Sequence, residues 1–103
     1  MSDTILVTGY FDIDPAHREA AASAATAVME ATRAEDGCVR YDYSEALDKP
    51  GRIHVSEEWA SQAAMDAHMA TAHLAEFMGA VGGFGVTGAS LTKWDGASPS
   101  TLM

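Results

Sequence analysis

The apolar residues of this chain change their spacing in order, from a period of two to a helical period and back, twice over. Thr4 to Ile13 carries Ile5, Val7, Tyr10 and Phe11 and reads as a strand. Ile5 and Leu6 point to opposite faces, so both sides of that strand are expected to be covered. Asp14-Pro15 is a helix start, an aspartate cap followed by proline at the first helical position. The helix runs to about Ala34, with Ala21, Ala24, Ala25, Val28 and Thr32 on a buried stripe. Arg18, Glu19, Ser23, Glu30 and Arg33 make its wet side. Asp36-Gly37 then turns the chain into a strand at Cys38–Glu45, where Val39, Tyr41 and Tyr43 alternate with Arg40, Asp42 and Ser44. Asp48-Lys49-Pro50-Gly51 is a turn, and Arg52–Trp59 is the returning strand of a hairpin.

Ser61 caps the next helical region, and here the phase of the apolar residues matters. Ala64, Met65, His68, Met69 and Ala72 share one face. Leu74, Phe77, Met78 and Val81 form another stripe, on roughly the opposite side of one continuous helix. A single straight helix cannot bury both. The sequence therefore predicts two short helices with a break near Thr71, which places His73 in the first turn of the second. Gly79, Gly82, Gly83, Gly85 and Gly88 follow a helix and lack a Gly-Lys-Ser/Thr, so they read as helix termination and turning, not as a phosphate loop. A last strand spans about Val86 to Trp94, and Asp95 to Met103 reads as a loose tail. The expected organisation is one domain over 1–94 and a tail over 95–103.

The order β-α-β-β-α-β is the ferredoxin-like plan, an α+β fold with a four-stranded antiparallel sheet and helices on one face. The other face is expected to carry several of Ile5 or Leu6, Tyr41 or Tyr43, Trp59, and Leu91 or Trp94. Such a face calls for a second subunit, so the expected assembly is a homodimer whose two sheets close around a cavity. A chain of 103 residues with 48% apolar residues suits one small globular domain, which a partner would help to stabilise. Fifteen acids against six bases leave a formal charge of −9, which disfavours nucleic-acid and anionic-membrane partners. No long apolar run or basic leader is seen, and the lone Cys38 reads as a small buried strand residue. The expected location is the cytoplasm.

Chemistry gathers between Glu57 and Phe77. His68 lies on the stripe of Met65 and Met69, either as a core residue or as a general base, because imidazole titrates near neutral pH. His73 at a helix start sits near positive helix-end charge, which favours a neutral base. Five residues apart on one helix, the two would diverge by about 140°, unlike the i, i+4 pair of zinc helices, and no metal is assigned. Only a break between them brings the rings together. His17 and His54 read as structural or solvent-facing. Trp59 shares a strand face with Ile53, Val55 and Glu57, where Glu57 is either at a wet rim or braced by Arg40 or Arg52. Tyr41 and Tyr43 share one face of their strand. No serine–histidine–acid order, paired-carboxylate signature or nucleotide fingerprint stands out.

The segments Glu35-Asp36-Gly37-Cys38-Val39-Arg40-Tyr41, Glu57-Glu58-Trp59, Asp66-Ala67-His68 and Thr71-Ala72-His73-Leu74 through Phe77 resemble the antibiotic biosynthesis monooxygenase family, which includes quinol monooxygenases. The resemblance spans Thr4 to Trp94. It implies a dimeric α+β barrel and oxidation of a phenol, hydroquinone or polyketide by molecular oxygen without a cofactor. It implies His68 and His73 as catalytic residues and a substrate pocket with Trp59, joined by Tyr41, Tyr43 and Met65 from the reading above. Val55 and Met65 stand where the polyketide-oxidising branch has asparagine and tyrosine. The first strand has no asparagine and no histidine follows His73, which speaks against haem degradation. The expected function is a cofactor-independent monooxygenase of a small aromatic substrate. The alternatives are a non-catalytic, stress-associated binding protein for an aromatic metabolite, or an isomerase or cyclase on the same barrel.

Overall fold

Strand β1 (Thr4–Asp12) lies inside the sheet of the computed structural model, which describes residues 2–103. It pairs antiparallel with β3 (Arg52–Trp59) on one side and β4 (Gly88–Ala97) on the other, and β2 (Cys38–Glu45) pairs antiparallel with β3. The strand order β2-β3-β1-β4, with helices α1 (Arg18–Arg33), α2 (Gln62–Met69) and α3 (Ala72–Val81), is the expected ferredoxin-like α+β arrangement. Gly9 sits at φ 147°, and a Cβ there would run into the Ser90 backbone of β4. Only glycine lets β1 and β4 approach this closely.

The helix starts follow their caps. Asp14 accepts from the Ala16 N–H, but Pro15–His17 forms one tight 3₁₀ turn before α1 begins at Arg18. Ser61 Oγ accepts from the Ala64 N–H at 3.1 Å and starts α2. The predicted break is present: α2 stops at Met69, and Thr71 caps α3 by accepting from the Leu74 N–H. Ile5, Val28, Tyr41, Trp59, Leu74 and Phe77 form the main core between sheet and helices, and Ile13, Ala21 and Phe84 close its other end.

The structure departs from the sequence pattern in several places. Val39 is 60% exposed, because the β2–β3 register shifts between Cys38 and Arg40 and Cys38 takes the inward place beside Trp59. Ile5, Tyr41, Tyr43 and Trp59 all lie on the helix-covered face with the core, not on the open face. The open face carries Leu6, Tyr10 and Trp94 among Thr8, Asp12, Arg52, His54 and Glu58. Trp94 Nε1 donates to Thr8 Oγ1 across it at 3.0 Å. Met69 and Met78 are exposed, since α2 ends at the break and the buried side of α3 is set by Leu74 and Phe77. The last strand runs three residues past Trp94, with Ala97 opposite Thr4, so the tail begins later than expected. Among the described residues, no helix is long and apolar enough to cross a membrane.

Candidate functional site

The turn before β2 meets two neighbouring helix ends, the end of α2 and the start of α3, at the break between them. Glu35 lies in the turn between α1 and β2, where its N–H donates to Thr32 O and its carbonyl accepts from the Cys38 N–H. Gly37, at φ 80°, packs so closely on Ala64 of α2 that a Cβ would collide with it, which holds the Glu35 turn under that helix. His68 lies in the last turn of α2, and Thr71 Oγ1 donates to the His68 carbonyl at 2.7 Å while capping α3. His73 is the second residue of α3.

Glu35 Oε2 stands 2.8 Å from His68 Nδ1 and 2.8 Å from His73 Nε2. Burial pushes the Glu35 carboxyl up, but the hydrogen bonds from the two histidines and their charges outweigh it and hold the group below its ordinary value. An ionised carboxylate only accepts, so both facing nitrogens carry hydrogens. That fixes the tautomers: in neutral imidazoles the free lone pairs are on His68 Nε2 and His73 Nδ1. The break thus brings the two rings to a centroid separation of 6.2 Å, which one continuous helix would prevent.

His68 is 2% exposed and packs between aromatic rings, 4.7 Å from Trp59 and 5.0 Å from Tyr41 by centroid. Trp59 Nε1 donates to Glu57 Oε1 at 2.9 Å. Arginine does not brace Glu57: Arg52 pairs with Asp12 and Arg40 with Asp42. Burial raises the Glu57 carboxyl, with the Trp59 hydrogen bond and the His68 charge pulling the other way. The Tyr41 and Tyr43 hydroxyls are 2.5 Å apart. Burial raises both, Tyr43 to about 12, so each is a neutral hydrogen-bonding group near pH 7. Burial and the nearby Glu35 charge likewise raise the Cys38 thiol, which keeps it protonated and a poor nucleophile.

A cavity of about 190 Å³ opens between α1 and the sheet, lined by Phe11, Ala21, Ala25, Met29, Tyr43 and Phe77 among others, with the Arg18–Glu45 ion pair on its wall. Of the four residues expected to bind substrate, Tyr43 lines this cavity. Tyr41 and Trp59 instead surround His68, and Met65 packs against the core. Tyr43 therefore joins the two regions, lining the cavity and meeting Tyr41 through its hydroxyl. His73 borders a separate groove between α1 and α3. His54 is exposed on the open sheet face, and His17 packs near Phe84. Sequence reasoning missed Glu35 as a site residue, because its partners lie 33 and 38 positions away and no spacing rule links them. It also missed Phe11, Met29 and Phe77 as cavity walls.

The family model described as antibiotic biosynthesis monooxygenase matches residues 4–80. The chain is 32% identical over 74 residues to YcnE of Bacillus subtilis, named a "putative monooxygenase", covering 72% of this chain and 78% of that protein. The solved structure of Rv0793 from Mycobacterium tuberculosis is similar at a TM-score of 0.84 and 28% identity, over 95% of this chain and 99% of that one. A "putative antibiotic biosynthesis monooxygenase" from Deinococcus radiodurans is similar at a TM-score of 0.86 and 26% identity, over 96% and 98% of the two chains.

Proposed function

The chain belongs to the antibiotic biosynthesis monooxygenase family, and from that premise we propose that it oxidises a quinol-like or polycyclic phenol with molecular oxygen and no cofactor. The observation that carries the reading is the buried His68 held through Nδ1 by Glu35, with Nε2 left as a base among aromatic rings. His68 borders neither the cavity nor the groove. In this scheme the substrate's phenolic end therefore reaches past Tyr43 to His68 Nε2, which takes its proton, and Glu35 offsets the charge of the resulting imidazolium. The phenolate passes one electron to oxygen, and recombination of the two radicals forms a carbon–oxygen bond. Loss of the ring hydrogen and cleavage of the O–O bond leave a new carbonyl, and the proton returned by His68 completes a water molecule. A hydroquinone and O₂ thus become a hydroxyquinone and water.

The protein supplies position, a base and exclusion of water. The apolar cavity beside Tyr43 suits a compact aromatic ring, and the neutral tyrosine hydroxyls suit hydrogen bonding to a phenolic oxygen. His73 shares Glu35 with His68 and is the second catalytic candidate. The reading takes the working unit to be a cytoplasmic homodimer, with the partner covering Leu6, Tyr10 and Trp94.

Oxygen uptake with a panel of hydroquinones, run beside anaerobic controls, tests the proposal. Uptake above autoxidation that disappears in a His68→Ala/His73→Ala double variant is expected. No uptake, or an unchanged rate in the double variant, overturns it. Tight ligand binding without uptake would mark a binding protein, and oxygen-independent turnover an isomerase or cyclase.

A further inference from the structure

We propose that Glu35, His68 and His73 also form a binding site for a divalent transition-metal ion of the Zn²⁺ or Co²⁺ type. One carboxylate oxygen and two imidazole nitrogens lie within 4.8 Å of one another, on three different elements. The two N–H groups point at the same oxygen, so once deprotonated their lone pairs converge on the same small region. Both hydrogens can move to the opposite ring nitrogens, and a single divalent ion then takes their place. Two imidazoles with one carboxylate favour Zn²⁺, Co²⁺ or Ni²⁺ over Mg²⁺ or Ca²⁺, which prefer all-oxygen shells.

Holding an ion needs the three side chains to adjust. Metal–ligand bonds of about 2.1 Å at tetrahedral angles separate ligand atoms by roughly 3.4 Å. The two nitrogen–oxygen separations are 2.8 Å and would open to that value, while the two ring nitrogens, within 4.8 Å of each other, would settle at the same spacing. Glu35 sits in a turn and His73 at a helix start, both part-exposed. His73 keeps 28% of its side-chain exposure and gives the ion a way in. His68 and Glu35 supply the enclosed side. The net charge of −9 favours cations near the protein.

One consequence rests on the proposed oxidation: an ion on His68 Nδ1 moves the ring hydrogen to Nε2, removing the base and inhibiting turnover. Binding itself does not depend on that reading and is measured separately. Chelator-treated, dialysed full-length protein is titrated with CoCl₂ while visible absorption is recorded, and with ZnCl₂ by calorimetry. Expected are one ion per chain, intense ligand-field bands of a low-coordinate Co²⁺ site, and affinity at least about 100-fold weaker in His73→Gln and in Glu35→Gln. The His54→Gln control, on the opposite sheet face, should bind like wild type. Circular dichroism checks that each variant is folded, and the part-exposed His73 makes its replacement the safest. Absence of saturable binding by the wild type, or equal affinity in folded His73→Gln, overturns the site.

Discussion

Two carboxylates in this molecule are each gripped by two nitrogen-bearing side chains and are almost equally covered, yet they do different work. Asp12, at the end of β1, takes Nε and Nη2 of Arg52 at 2.8 and 2.9 Å and Lys49 Nζ at 3.5 Å. Glu35 takes His68 and His73 at 2.8 Å each. Their side chains are 16% and 15% exposed. Asp12 faces partners with permanent charge, one of which also lies over the Tyr10 ring, and its carboxyl is held at about 2. That arrangement ties β1 to β3 and has no proton to exchange near neutral pH. Glu35 faces imidazoles, whose hydrogens can move, beside the aromatic rings of Tyr41 and Trp59. The identity of the partner, not the depth of burial, separates a brace from a site capable of proton transfer.

The largest expected effect contrasts the two carboxylates directly. Glu35→Gln should lower the proposed oxygen-dependent turnover by about 10²-fold, because the imidazolium loses its counter-charge. Asp12→Asn should leave turnover within about a factor of two, since it lies outside the general acid–base pair. Equal losses in steady-state oxygen uptake would erase the distinction.

Next comes stability around the Glu35 cluster. Trp59 has no exposed surface, and Trp59→Ala should cost about 3–5 kcal/mol in urea unfolding, with no such loss for exposed His54→Ala. A cost below about 1 kcal/mol would mean that Trp59 is not the wall behind His68.

Asp12 should show its character only in acid. Its folded value of about 2 lies below the ordinary 3.8, so its ion pairs contribute fully above pH 3.8 and are lost as pH falls through about 2. The Tm difference between wild type and Asp12→Asn should be flat above that window and close within it. A difference that persists below it would contradict the brace. The smallest effect is expected at Glu57, whose folded value is raised by burial. Its neutral form is favoured by folding, so wild-type stability relative to Glu57→Gln should fall as pH rises through the folded value. Tm measured against pH for both proteins checks the sign.

Much of the fold was legible because it follows from local periods. Tyr41 and Tyr43 alternate correctly, and the conflicting stripes of Met65–His68 and Leu74–Phe77 located the break that Thr71 caps. Val39 was misread because a bulge changes which neighbour points inward, and period alone does not carry an irregular register. The sheet's open face was misread because alternation says which residues share a side, not which side the helices cover. Leu6 and Trp94 are there, while Tyr41 and Trp59 are not. Within the site, the sequence offered both histidines as candidates but not the carboxylate between them. Glu35 reaches them only after α1, the hairpin and α2 have packed.

The proposed chemistry turns on one proton. Long-range ¹H–¹⁵N correlation of the metal-free protein, with the His68 ring assigned by comparison with His68→Gln, locates it directly. The hydrogen is expected on Nδ1, bonded to Glu35, with Nε2 bare and its signal altered in Glu35→Gln. A hydrogen on Nε2 with Nδ1 bare would contradict the clamp and remove the base from the proposed mechanism.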